Sequence, residues 1–91
     1  MKFEWDPRKK VLNLRKHGIA FEDAVALFDR PFVEVPDDHH NDGEDRWIAS
    51  GEVSGRVFIL VYVWRAEERR IISARKATKA ELEAYYRAIH S

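Results

Sequence analysis

The segment VFILVYVWR, residues 57–65, decides the fold of this 91-residue chain, because β-branched and aromatic side chains fill almost all of its positions. Apolar residues occupy both alternating sets, and this pattern predicts an interior strand that is covered on both faces of a sheet. Tight-turn signals flank the segment, Ser54-Gly55 before it and Glu67-Glu68 after it. The sequence therefore predicts an antiparallel meander in which residues 46–53 and 69–75 form the neighbouring strands.

Helices are predicted on both sides of this meander. Asp6-Pro7 is a helix start and His17-Gly18 is the matching end, because Gly adopts the left-handed conformation at low cost. A second helix is expected at residues 21–28, followed by a short strand at residues 32–35. Residues 78–81 (TKAE) form a capping box before a last helix. The result is one α+β domain, residues 1–91, with two N-terminal helices, a four-stranded, mainly antiparallel sheet and a C-terminal helix.

Two-residue turns on both sides of the central strand predict which side chains share a face, whereas a three-residue second turn would swap the faces of the fourth strand. One face is aliphatic and is expected to pack on the first two helices; it comprises Val57, Ile59, Val61 and Val63 with Ile48, Ile72 and Ala74. The other face comprises Phe58, Leu60, Tyr62 and Trp64 with Trp47, Ile71, Ser73 and Arg75. Aromatic rings beside a basic residue suit base stacking and phosphate contact. Alternatively, the last helix covers this aromatic face with Tyr85 and Tyr86 and makes it a second core.

Composition narrows the function classes. The chain has no cysteine, which excludes disulfides, thiolate catalysis and Cys-based zinc sites. Its longest apolar run is too short for a membrane span and its polar start is not a signal peptide, so we expect a cytoplasmic protein without a membrane partner. Residues 1–45 hold 7 Lys/Arg against 11 Asp/Glu, and residues 46–91 hold 9 against 5. The basic half can attract phosphate, or the two halves can neutralise each other in the fold.

The polar loop of residues 36–43 and the basic half supply the residues that could carry chemistry. His39 and His40 lie beside acidic residues, but adjacent loop residues lack the usual ligand spacing, so we predict no metal and no cofactor. Cleavage of RNA without a metal needs a base for the 2′-OH proton, cations for the phosphorane and an acid for the 5′-oxygen. The candidates for these roles are His40, Glu44, Arg46, Arg65, Arg70, Arg75 and Lys76. By itself this pattern has little specificity, because any basic α+β domain offers similar residues.

Several segments, in order and with intact spacing, resemble the BrnT-type toxins. The opening FEWDP (residues 3–7) and NLRKHGI (residues 13–19) are similar to the start of that family, and so is FEDA (residues 21–24) leading to Phe28-Asp29. The loop from Asp37 to Trp47 and the segment IISARKAT (residues 71–78) match as well. The resemblance implies a RelE-like fold and a ribonuclease that cuts mRNA and arrests growth. It also implies a BrnA-like antitoxin and repression of the operon, with operator DNA bound only through that antitoxin.

The resemblance also suggests site residues, because His40, Arg46 and Arg75 match positions in the shared motifs. We expect Arg46 and Arg75 to contact the scissile phosphate and His40 to act as acid or base. Further RNA contacts are expected from Arg65, Arg70, Lys76, Trp47 and Tyr62. Each role has a plainer alternative: Arg46 can pair with Asp45 or Glu44 to fix the strand start, and His40 can be a solvated loop residue. At the level of function, the alternative is a non-catalytic module that binds RNA or protein.

Overall fold

The computed structural model of the chain describes residues 2–38 and 44–91. These residues form three α-helices and five strands, which confirms the α+β class. The strands are β1 (Phe3–Trp5), β2 (Phe32–Pro36), β3 (Arg46–Val53), β4 (Arg56–Arg65) and β5 (Glu68–Lys76). The helices are α1 (Pro7–His17), α2 (Phe21–Ala24) and α3 (Lys79–His90).

The sheet has the strand order β1-β5-β4-β3-β2, so β4 is interior, as its two-sided apolar pattern predicts. Strands β2 to β5 are antiparallel, and β1 runs parallel to β5. The prediction of four strands was wrong because β1 was missed. Its three residues are too few to show an alternating pattern, and its partner strand lies near the other end of the chain.

Helix α1 begins after Asp6 and ends before Gly18, the two capping residues predicted from the sequence. Asp6 accepts a hydrogen bond from the backbone N–H of Arg8 at 2.8 Å, and Gly18 (φ 71°) donates to the Leu14 carbonyl. The second helix is shorter than expected: regular α-helix covers only Phe21–Ala24, and a 3₁₀ turn follows at Val25–Asp29. The 3₁₀ turn packs Leu27 against Gly51 of β3. A β-carbon added at position 51 would lie 2.7 Å from the β-carbon of Leu27.

The assignment of the sheet faces to the helices was wrong. The aromatic set of β4, including Phe58 and Tyr62, packs on Phe21 and Phe28 from the first half of the chain. We call this side of the sheet the inner face. Helix α1 buries only one side chain, Asn13, against it, so aromatic rings rather than aliphatic side chains fill the space.

The assignment of the last strand was wrong beyond Ile71. The β4–β5 turn comprises Ala66-Glu67, one residue earlier than predicted, and the register shifts opposite Val61 and Tyr62. Ile72 is the extra residue at this irregularity, and one extra residue inverts the alternation after it. Arg75 therefore lies opposite Ile59, whereas the predicted neighbours Leu60, Tyr62 and Trp47 lie on the inner face.

Helix α3 lies on the opposite, outer face of the sheet, beside Ile59 and Val33. Its predicted capping box is present, with Thr78 accepting from the Glu81 N–H and Glu81 accepting from the Thr78 N–H. The buried Tyr85 donates from its hydroxyl to the Pro31 carbonyl at 3.2 Å. The alternative that α3 covers the aromatic face was therefore wrong. Helix α3 covers one end of the aliphatic face. It leaves the other end, around Val61 and Val63, uncovered.

Candidate nucleic-acid interface

Three arginines surround Val63 at the end of the outer face that α3 does not cover. Arg46 of β3 and Arg70 of β5 are both paired with Val63 in the sheet register, and Arg65 follows two residues later on the same face of β4. Neighbouring strands are about 4.8 Å apart, so the backbones of Arg46 and Arg70 are roughly 10 Å apart. We call these three residues the arginine cluster. Strand residues of a sheet are rigidly placed, which favours a defined anion site.

Each arginine of the cluster lies near a carboxylate. The distances are 3.3 Å from Arg46 Nε to Asp37 Oδ2, 3.7 Å from Arg65 to Glu44 and 3.5 Å from Arg70 to Glu4. Arg65 and Arg70 are at least partly open to solvent, and such pairs contribute only about 0.2–1 kcal/mol. A phosphate can therefore replace Glu44 and Glu4 at small cost, whereas the pair of Arg46 with Asp37 is more buried, with side chains 20% and 6% exposed. The alternative that Arg46 pairs with Asp45 or Glu44 named the wrong partner, because the carboxylate near its guanidinium is that of Asp37.

Arg75 is also on the outer face, but its guanidinium already binds a carboxylate in two places. Its two terminal nitrogens donate to Glu81 Oε1 at 2.6 Å and Oε2 at 2.8 Å. The hydrogen bonds from Arg75 lower the pKa of Glu81 from its usual 4.5 to about 2, and Glu81 in turn raises the pKa of Arg75. Glu81 Oε1 also caps α3 through the Thr78 N–H. The arrangement joins β5 to α3 and occupies the guanidinium that was expected to hold phosphate.

The other predicted site residues lie away from the arginine cluster. Tyr62 is on the inner face with 0% of its surface exposed, and its hydroxyl has no hydrogen-bond partner within residues 2–38 and 44–91. Trp47 is also on the inner face, where its indole donates to Asp45 Oδ1 at 2.6 Å. Lys76 is exposed at the end of β5. His40 lies outside the described residues, as does His39.

Two residues with structural roles were missed from sequence. The guanidinium of the buried Arg69 lies 4.3 Å from the ring centre of Phe28 and 4.4 Å from that of Trp64, with Glu34 at 3.4 Å. Strand alternation places Arg69 and Arg70 on opposite faces of the sheet, and this pattern could have indicated that one of the two arginines is buried. Asn13 gave no signal, because its partners are backbone groups of distant residues.

The described residues contain neither a metal-binding group nor a helix that could span a membrane. Within the described residues, no three His, Cys, Asp or Glu side chains come together as a metal-binding group. The described helices are also too short and too polar for any of them to cross a membrane.

The fold and the arginine cluster define a small α+β domain that carries three arginines, each near a carboxylate, at one end of its outer sheet face. Residues 5–81 match the family described as the ribonuclease toxin, BrnT, of type II toxin–antitoxin systems, and the chain belongs to this family. Membership implies an RNA substrate and an antitoxin partner. No curated protein matches the chain.

Proposed function

We propose that the chain is an endoribonuclease that cleaves mRNA by metal-independent attack of a ribose 2′-OH on the neighbouring phosphodiester. The observation that carries this proposal is the convergence of Arg46, Arg65 and Arg70 on one end of the outer sheet face. Family membership supports the ribonuclease activity, and the grouping of three arginines supports the outer sheet face as its site. The expected consequence in the cell is growth arrest after cleavage of mRNA in the cytoplasm.

The arginine cluster suits the charge that develops during this reaction. As the 2′-oxygen bonds to phosphorus and the bond to the 5′-oxygen breaks, the phosphate becomes more negative than in the ground state. A guanidinium can bind two phosphate oxygens at once, and contacts that strengthen in the transition state raise turnover. Arg46 and Arg70 lie on opposite sides of β4, so they can approach one phosphate from two directions.

The reaction also needs a base for the 2′-OH proton and an acid for the leaving 5′-oxygen. We assign one of these roles to His40, which follows Pro36, the last residue of β2, in the sequence. We propose that Arg75 holds α3 against the sheet, because contact with a phosphate would require Glu81 to release it. The proposed RNA surface includes Lys76 as an outlying cation and excludes the buried Tyr62 and the inner-face Trp47.

Regulation follows from the family. We propose that a BrnA-like antitoxin neutralises the chain by direct binding, and that operator DNA is contacted only through the antitoxin. The same arginine cluster would also suit a non-catalytic module that holds RNA, and the experiment below distinguishes the two functions.

The test is cleavage of a defined single-stranded RNA by the purified chain in the presence of EDTA. We expect cleavage that stops when the ribose at the cleaved position lacks its 2′-OH. Arg46→Ala should reduce the rate by about 10²–10³-fold, as loss of a transition-state donor does elsewhere. Arg87→Ala, an exposed arginine on α3, is the matched control and should cleave at the wild-type rate.

Three results would contradict the proposal. Activity that disappears with EDTA and returns with magnesium or manganese would refute the metal-independent mechanism. RNA binding without cleavage by any preparation would establish the binding module instead. Equal rates for Arg46→Ala and Arg87→Ala would remove the arginine cluster from the site.

A further inference from the structure

Helix α1 turns its apolar side chains to solvent. Pro7, Val11 and Leu14 are spaced by four and three residues, so they form one stripe along the helix. Val11 is 47% exposed, Leu14 is 48% exposed, and the nearby Leu12 is 61% exposed. These account for three of the five large hydrophobic side chains that are exposed in the described part of the chain. A contiguous apolar patch of this kind marks an interaction site more often than scattered single residues do.

The orientation of α1 explains why this stripe is left uncovered. The helix is fixed to the protein by Asn13, whose side-chain N–H groups donate to the carbonyls of Ala74 at 2.8 Å and Ile19 at 3.1 Å. Its side-chain oxygen accepts from the Ala74 N–H at 3.1 Å. At 100° per residue, Val11 lies on nearly the opposite side of the helix from Asn13. A polar anchor holds the helix, and its apolar stripe is therefore available to another molecule.

The charges of α1 indicate what that molecule is. The sequence of the helix, PRKKVLNLRKH, contains five Lys or Arg residues and no carboxylate. Lys10 pairs with Glu22, while Arg8 and Arg15 are exposed on the flank between Val11 and Leu12. A second copy of the chain would bring these cations against each other, which disfavours self-association. An amphipathic segment with apolar anchors and acidic flanks would match both the stripe and the charge.

We propose that the exposed face of α1, formed by Val11, Leu12, Leu14, Arg8 and Arg15, is the docking surface for an acidic amphipathic helix of the antitoxin. This inference rests on the proposed function, since it takes the antitoxin as the partner. Helix α1 packs on the inner side of the sheet, whereas the arginine cluster is on the outer face. Docking on α1 therefore supplies affinity, and inhibition of cleavage requires a second segment of the partner that reaches the arginine cluster.

The test uses the polypeptide encoded by the gene next to that of the chain as the binding probe. The double variant Val11→Asp/Leu14→Asp should lose roughly 100-fold or more in affinity, because it removes two apolar anchors and adds repulsion to an acidic partner. Arg8→Glu/Arg15→Glu should also weaken binding, and its affinity should depend less on salt than that of the wild type. Val35→Asp is the matched control, since Val35 is also 47% exposed but lies on β2, and its affinity should be unchanged.

The same preparations are assayed for RNA cleavage without the probe, so that the two hypotheses fail separately. Unchanged affinity of the α1 variants, or no binding of the probe by the wild type, would overturn the docking surface whatever the cleavage result. Loss of cleavage by Val11→Asp/Leu14→Asp with binding intact would assign the face to RNA and overturn it as well. A wild-type dimer that dissociates on this substitution would assign the face to a second copy of the chain. Absence of cleavage by the wild type, together with loss of binding by the variants, would refute the proposed function and leave the docking surface standing.

Discussion

The carboxylate of Glu81 receives two parallel hydrogen bonds from Arg75, at 2.6 and 2.8 Å, while the same group accepts the backbone N–H of Thr78 at 2.8 Å. One side chain thus completes a helix cap and holds the end of β5. Both functions depend on the ionised form of Glu81, and its lowered pKa of about 2 expresses this dependence.

The first prediction concerns pH. The pKa of Glu81 is about 2 in the folded chain and 4.5 ordinarily, so its contribution to stability is complete above pH 4.5 and is lost as the pH falls towards 2. Glu81→Gln should therefore be less stable than the wild type at pH 7, and the difference should disappear near pH 2. Urea unfolding at a series of pH values measures this. A difference that stays constant with pH would contradict it, and Glu83→Gln on the exposed side of α3 is the control.

The second prediction separates stability from catalysis at Arg75. Arg75→Ala should lower the free energy of unfolding by about 1–2 kcal/mol, because it breaks a charged pair and weakens the α3 cap. It should reduce RNA cleavage less than tenfold under conditions where the variant is folded. Unfolding curves and cleavage rates of the same preparation provide the measurement. A loss of 100-fold in rate with stability unchanged would return Arg75 to the catalytic residues.

The third prediction concerns the anchor of α1. Asn13→Ala should destabilise the chain by roughly 2–4 kcal/mol, since it leaves buried backbone groups of Ala74 and Ile19 without partners. Asn13→Asp should also destabilise, because a carboxylate cannot donate the two hydrogen bonds that the amide donates. Val11→Ala on the exposed side of the same helix should change stability by no more than about 0.5 kcal/mol. Equal unfolding midpoints for the Asn13 and Val11 variants would refute the anchor.

The fourth prediction compares neighbouring arginines on opposite faces. Arg69 stacks on Phe28 and Trp64, and the flat guanidinium suits this position better than an ammonium group does. Arg69→Lys should therefore cost about 1–2 kcal/mol, whereas Arg70→Lys on the outer face should cost less than about 0.5 kcal/mol. Thermal unfolding of both variants tests this. Similar losses for the two would show that the stacked arrangement contributes little.

The positions of the helices and strands were predicted from the sequence more accurately than the contacts between them. Capping residues such as Asp6 and Thr78 act on the nearest turn of the chain, so their effects can be read locally. The face of Arg75 depended on where one extra residue, Ile72, enters β5, and nothing in the local pattern marks that position. The ion pair between Arg75 and Glu81 was not predicted for a different reason. Glu81 was recognised as part of a helix cap, and the sequence does not show that its carboxylate also reaches the sheet.

The site was predicted to a similar extent. The Ser54-Gly55 turn places Arg46 opposite Val63, as predicted. The predicted β4–β5 turn was one residue late, and it would have placed Ile72 rather than Arg70 opposite Val63. The inner-face position of Tyr62 could not be recognised, because both faces of β4 are apolar. Which face of the sheet the first helices cover depends on the volume of the side chains that they bury. Helix α1 adds almost no volume, because Asn13 is its one buried side chain.

The pairing of β1 with β5 has a consequence for biosynthesis. Phe3 emerges from the ribosome long before its partner in the sheet, Arg69, and β5 ends only at Lys76. Strand β1 must therefore stay unpaired while the residues between it and β5 are synthesised, and Ala74, to which α1 is anchored, is made equally late. The newly made chain cannot complete its sheet until β5 has been synthesised. An incomplete translation product would consequently lack the five-stranded fold on which the arginine cluster is built.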